Sequence, residues 1–358
     1  AKSPIVILGG GGWTPQAVDD MRGFAERFAL PMSTVFRRAM LFDYGHPSYV
    51  GELGISPNPK LKTRIEAADL VLIVGDRMAE LQSQSYTLFD IPNPRQKLVH
   101  VHADAEELGR VYHPYLGINA TPAPFCAALA DLQPPKQIAW AHATRQSRGD
   151  YIDWTEKPSP SPGSVHIGEV AIFVRDHIPT DAIITNGAGN FAGWVQRYMR
   201  YRAFGTQLAP TSGSMGYGVP AAVGAKRVQP QRMVICFAGD GDFLMNGQEF
   251  ATAMQYDLPI IVILLDNSMY GTIRMHQERD YPGRISATAL KNPDFAAYAR
   301  AFGGHGETVE RTADFGPAFE RALASGKPAI IHTKVDPEAI TPTMTLSQIR
   351  EKALAGRK

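Results

Sequence analysis

Residues 233–267 constrain the fold more than any other stretch of the chain. Met233-Val234-Ile235-Cys236-Phe237-Ala238 is an apolar run of strand length that stops at Gly239-Asp240-Gly241-Asp242. A helical segment follows at about 247–256, and a second apolar run at 260–265 stops at Asp266-Asn267-Ser268. This order predicts a βαβ unit, whose right-handed connection sets both strands parallel in one sheet. Asp240 and Asn267 then leave the sheet at the same carboxyl edge, the edge where open α/β sheets bind ligands. A carboxylate and a side-chain amide converging among glycines suit an octahedral Mg²⁺ that fills its shell with phosphate oxygens and water. Glycine-rich strand exits that feed helix N-termini also cradle phosphate. The expected ligand is a diphosphate carrying its own magnesium.

The same alternation runs through the rest of the chain. Apolar runs at 5–8, 70–74 and 98–101 predict strands, and amphipathic segments at 15–28, 60–67 and 124–132 predict helices. After an interruption, a helix at 168–176, a strand at 182–185, a helix at 191–201 and a last strand at 329–335 follow the same rule. Short strands between helices imply parallel sheets covered on both faces. The interruption contains Pro134-Pro135 and the string Pro158-Ser159-Pro160-Ser161-Pro162-Gly163, which predicts an extended, exposed linker over 134–163. The fold class is therefore α/β, with two doubly wound parallel-sheet domains: a central Rossmann-like domain at 1–133 and a ligand-binding domain at 164–358. Gly9 to Gly12 invite a dinucleotide reading, but Thr14 occupies the last position of G-x-G-x-x-G, so a nicotinamide dehydrogenase is disfavoured and a strand-to-helix turn expected.

Composition narrows the classes further. With 36 Lys and Arg against 35 Asp and Glu, the chain has no basic field for a nucleic-acid backbone. No apolar run is long enough to span a bilayer as a helix. The two cysteines, Cys126 and Cys236, lie in apolar surroundings and read as buried, reduced thiols. With no signal peptide ahead of the first strand, a cytoplasmic location is expected.

Gly239-Asp240-Gly241, 24 residues, then Asp266-Asn267 resembles the motif of thiamine diphosphate-dependent enzymes, which reads Gly-Asp-Gly and, after a spacer of this length, Asn-Asn. Asp266 departs from it by standing for the first asparagine. Upstream, Thr211-Ser212-Gly213-Ser214-Met215-Gly216-Tyr217-Gly218-Val219-Pro220 is similar to the segment beneath the bent cofactor in acetolactate synthases and their relatives. The resemblance covers essentially the whole chain. It implies that Asp240, Asn267 and the backbone carbonyl of Met269 hold Mg²⁺. It also implies that Gly239, Gly241, Asp242 and Phe243, the loop Gly187 to Asn190, and Tyr270 with Gly271 contact the cofactor, although Asp242 reads equally well as a helix N-cap. Met215 would be the apolar wedge that keeps thiamine V-shaped, and the Gly213 carbonyl would accept from its 4′-amino group. That fold of the cofactor lets it remove its own C2 proton and attack a 2-oxo acid.

Past the metal motif, Tyr270, Arg274 and His276 are candidates for substrate carboxylate binding or proton transfer, with a solvated helix face as the alternative. Acetolactate synthases place a tryptophan where this chain has His276. The tail at 340–346 reads as a lid or a frayed terminus. In the family's central domain some members bind FAD, for which Val74-Gly75-Asp76-Arg77 is the only local hint. The resemblance implies a homodimer or homotetramer whose partner subunit supplies an N-terminal pyrimidine-binding domain with its glutamate. Nothing in this chain matches that domain, and a start at Ala1 predicts a piece of a longer enzyme that is inactive alone. The implied reaction is 2-oxo acid decarboxylation with carboligation. Simple decarboxylation, C–C lysis or a non-catalytic nucleotide-binding module are the alternatives.

Overall fold

The apolar run at 5–8 forms β1 (Pro4–Leu8), in which every residue is buried. In the computed structural model, which describes residues 1–356, β1 lies inside a parallel sheet with β2 (Met32–Val35), β3 (Tyr49–Leu53), β4 (Leu70–Val74), β5 (Lys97–His102) and β6 (Leu116–Asn119). The strand order is β3-β2-β1-β4-β5-β6, the doubly wound order expected when successive crossovers run first one way and then the other from β1. Residues Ala1–Lys157 and Arg200–Gly205 make this first unit. Tyr201 belongs to it because its ring meets Tyr44 edge-on at 5.7 Å and its carbonyl accepts the Tyr44 N–H.

The glycine run after β1 is the strand-to-helix turn. Gly10 has φ +65°, and a Cβ there would lie 1.7 Å from the Gly75 carbonyl oxygen, so the exits of β1 and β4 touch backbone to backbone. Trp13 Nε1 donates to the Gly9 carbonyl, and Thr14 caps the helix Pro15–Phe28 by accepting from Ala17 N.

The extended segment expected over 134–163 is instead helical across Ala141–Thr155. Its buried face consists of Thr144, Ser147, Tyr151 and Thr155, spaced for a helix but carrying no aliphatic stripe. The hydroxyls of Ser147 and Thr155 donate to carbonyls four residues back, so these two polar groups are buried with partners. Trp140 Nε1 and Thr144 Oγ1 tie the helix to the carbonyls of Phe28 and Ala29 in the first unit.

The second unit, Pro158–Met199 with Thr206 onward, holds another parallel sheet. Its strands are β7 (Ile183–Asn186), β8 (Gln207–Leu208), β9 (Val234–Gly239), β10 (Ile261–Asp266), β11 (His305–Val309) and β12 (Ala329–Lys334), in the order β11-β12-β10-β9-β7-β8. Every residue of β9 and β10 is buried, as strands covered on both faces must be. Val234, Cys236, Ala238, Val262 and Leu264 share a core with Phe243, Phe250 and Phe295 from the covering helices. Both cysteines are buried and unpaired, and burial pushes both thiols up to about 12. Among the described residues, no helix is long and apolar enough to cross a membrane.

Candidate active site

The register of β9 on β10 sets the geometry. Leu265 pairs with Gly239, so the next residues, Asp266 and Asp240, leave neighbouring strands at the same level, and Asn267 follows at the rim. The loops after β7, β9, β10 and β12 surround a solvent-open cavity lined by Gly189, Asn190, Met215, Gly239, Asp240, Gly241, Asn267, Met269, Tyr270 and Gly271, with Trp194, Ile340 and others. The chain thus brings together, on one cavity wall, most of the residues that the motif singled out.

The glycines are there for space. A Cβ on Gly241 would lie 2.7 Å from the Tyr270 ring, and one on Gly271 would lie 3.1 Å from Asn267 Nδ2. Asp240 opens the helix Asp240–Asn246, with Gly239 as its N-cap residue in extended conformation. The Asp240 carboxylate is 3% exposed and accepts from Gly241 N (2.9 Å) and Asn292 Nδ2 (2.7 Å). Burial pushes it up to about 6, with the adjacent Asp266 charge adding to the rise and the two donors opposing it. Asn267 Oδ1 accepts from Met269 N at 3.2 Å. Asp240 and Asn267 offer hard oxygens from two adjacent strand ends, a donor set too small for a closed protein cage but suited to a divalent cation that keeps water or phosphate oxygens.

Asp266 explains itself through β12. Leu264 pairs with His332 and Asp266 with Lys334, which brings His332 Nε2 (2.8 Å) and Lys334 Nζ (2.5 Å) to the same carboxylate oxygen. Burial would raise the Asp266 carboxyl, but the donors from His332, Lys334 and Asn292 outweigh it and hold the group below the usual carboxylate range. An asparagine would leave those donors facing a neutral amide.

Asp242 is not the N-cap, which is Gly239, and it borders the cavity. It lies inside the helix, buried, and its Oδ1 accepts from Ala188 N (3.1 Å) and Gly216 N (2.8 Å), which staples the loop after β7 to the Met215 segment. Gly187 has to be glycine because a Cβ would meet that oxygen at 1.9 Å. The Phe243 side chain turns into the core, edge-on to Phe295. Asn190 is locked to the helix Gly271–Asp280: its N–H donates to Thr272 Oγ1, which donates back to Asn190 Oδ1. Gly213, at φ +75°, is exposed and lies off the cavity lining.

The three expected substrate residues are not brought together. Tyr270 lines the cavity, while His276 is exposed away from it. Arg274 is engaged with the buried Glu278 and with Thr288 Oγ1. Thr272 and Ile273, one turn earlier, line the cavity instead. Asn292, His332 and Lys334 escaped the sequence reading because no motif spacing links them to the strand exits.

Two family descriptions match the chain: thiamine pyrophosphate enzyme, central domain, over residues 1–129, and thiamine pyrophosphate enzyme, C-terminal TPP binding domain, over residues 187–333. The acetolactate synthase large subunit of Parasynechococcus marenigrum (strain WH8102) is 31% identical over 342 residues, covering 94% of this chain and 54% of that protein. The acetolactate synthase isozyme 2 large subunit of Escherichia coli (strain K12) is 28% identical over 338 residues, with 94% and 60% covered. Sulfoacetaldehyde acetyltransferase of Alcaligenes xylosoxydans xylosoxydans is 28% identical over 356 residues, with 90% and 58% covered. The chain therefore spans little more than half the length of these relatives. With both domain descriptions falling in order along the chain, and most of the cavity lining lying within the TPP-binding match, the chain belongs to the thiamine pyrophosphate enzyme family.

Proposed function

We propose that this chain supplies the diphosphate- and metal-binding half of the active site of an acetolactate synthase-like enzyme that decarboxylates a 2-oxo acid and joins the fragment to an acceptor. The observation that carries this is the pairing of Asp240 and Asn267 at adjacent strand ends beside a cavity floored by glycine backbone. These residues fit the cofactor: glycine at 239, 241 and 271 lines the cavity with bare backbone that a ligand can approach closely, and a carboxylate with an amide oxygen is a donor set for Mg²⁺.

Asp240, Asn267 and the Met269 carbonyl would hold Mg²⁺. Backbone N–H groups of Gly271 and Thr272, at the start of the helix Gly271–Asp280, would face the diphosphate, where the helix dipole favours negative charge. Met215, Ile273 and Ile340 would wall the reacting end with apolar surface and limit water. When bound, thiamine diphosphate supplies a nucleophilic carbon for the 2-oxo acid carbonyl and a cationic ring that takes up the electrons released with CO₂. The pyrimidine-binding half, with its acid, would come from an N-terminal domain of a partner subunit in a homodimer or homotetramer.

The acceptor is the open part of the reading. His276 in place of a tryptophan, and relatives that carry the name sulfoacetaldehyde acetyltransferase, favour testing acetyl transfer beside acetolactate formation. The test is to join this chain to the N-terminal region of its enzyme and assay a panel of 2-oxo acids and sulfoacetaldehyde, with thiamine diphosphate and Mg²⁺. The joined protein is expected to turn over at least one of them, and the chain alone none. Steady turnover by the chain alone, or none by a folded, cofactor-loaded joined protein, would overturn the proposal.

A further inference from the structure

The exit of β10 carries a second carboxylate where relatives are expected to carry an amide, and its surroundings point to a positioning residue. Asp240 and Asp266 are 3% and 2% exposed and leave adjacent strands at one level, so their charges face each other in a poorly solvated place. Between them lies Asn292, whose Nδ2 donates to Asp240 Oδ2 and to Asp266 Oδ1, each at 2.7 Å. Its two hydrogens serve two carboxylates. Asp266 is itself immobilised: one oxygen receives His332 and Lys334, and the other also receives Ser268 N. The segment bearing Asn292 is pinned to the strand exit by Leu290 N to Ser268 O (2.8 Å) and Tyr270 N to Thr288 O (2.9 Å).

We propose that Asn292 is a positioning residue for the metal site: hung from the fixed Asp266, it sets the rotation of the Asp240 carboxylate and relieves the repulsion between the two. This rests on the reading of Asp240 as a metal ligand. Outer partners of ligating groups fix their orientation, and their loss typically costs about 10–100-fold in metal affinity. An aspartate at 292 would add a third negative charge, and an alanine would leave both carboxylates short of a donor. A serine, with one hydroxyl donor, can serve only one of them.

The test uses the purified chain with saturating thiamine diphosphate, measuring free Mn²⁺ by electron paramagnetic resonance at a temperature where each variant is folded by circular dichroism. The native chain is expected to bind Mn²⁺, Asp240→Ala to lose it, Asn292→Ala to bind about tenfold or more weakly, and Asn292→Ser to fall between. Should the alanine variant fail to fold, the serine variant carries the comparison with native. Folded variants at position 292 that bind Mn²⁺ as tightly as native overturn the proposal. A native chain that does not bind Mn²⁺, or an Asp240→Ala that binds it equally well, overturns the metal-site reading on which it rests.

Discussion

Glu52 shows how one buried side chain can set the acid–base behaviour of the first unit. It lies on β3, 8% exposed, accepting from Arg37 N and Tyr44 Oη, each at 3.1 Å. Burial pushes its carboxyl up to about 7 against the pull of those donors. In the unfolded chain the group titrates near its ordinary value of about 4.3. Between those values the unfolded chain has released the proton and the native unit has not, so stability falls by up to about 1.4 kcal/mol per pH unit as pH rises. The contribution is fully present below the unfolded value and gone above about 7. Glu52→Gln removes that slope: thermal melts are expected to favour the variant over native more at pH 8 than at pH 5. An equal difference at both pH values would contradict the assignment. At the same scale, the motif residues Asp240, Gly241 and Asn267 were legible because strand-end position and hard-donor chemistry are written locally. Asn292, His332 and Lys334 were not, because they reach the site from 26 to 68 residues away from Asp266 by pairings no periodicity encodes.

Among the elements, the long apolar strands announced themselves and the polar ones did not. β2 reads Met-Ser-Thr-Val, yet Ser33 and Thr34 are fully buried, because Ser33 Oγ donates to the Gly51 carbonyl and Thr34 Oγ1 meets Tyr49 Oη. The helix Ala141–Thr155 hid for the same reason, with hydroxyls where a stripe of Leu would have been read. The tail is neither frayed nor loose: Ile340 is 1% exposed, lines the cavity, and shares a small core with Met269, Leu346 and Ile349. The helix Leu346–Ala355 follows, opened by a Thr345–Gln348 capping box. Arg350 on it grips the fully buried Glu278 of the helix Gly271–Asp280 with two bonds of 2.7 and 2.6 Å. That contact is the main reason the Glu278 carboxyl is held down to about 2. Its stabilisation is present above the ordinary carboxylate range and fades as pH falls toward that value. Arg350→Ala removes two charge-assisted bonds and leaves the buried Glu278 to Arg274 and the Gly283 N–H, which is expected to cost about 2 kcal/mol, with faster amide exchange over 340–355. Native-like exchange there would show that the latch does not hold the tail.

For the whole molecule, both doubly wound units follow from alternation alone, while the enzyme they serve does not. The chain covers 54% to 60% of the length of the relatives compared above, and under the proposed function the rest of the active site would come from a partner subunit. What belongs to this chain by itself is the cavity of the second unit. The most direct measurement is calorimetric titration of thiamine diphosphate, with Mg²⁺, into the native chain and into Asp240→Ala. Native is expected to show saturable, Mg²⁺-dependent binding at one site per chain, lost in the variant. Binding of equal strength by both, or no binding by native at millimolar ligand, would contradict the proposed site.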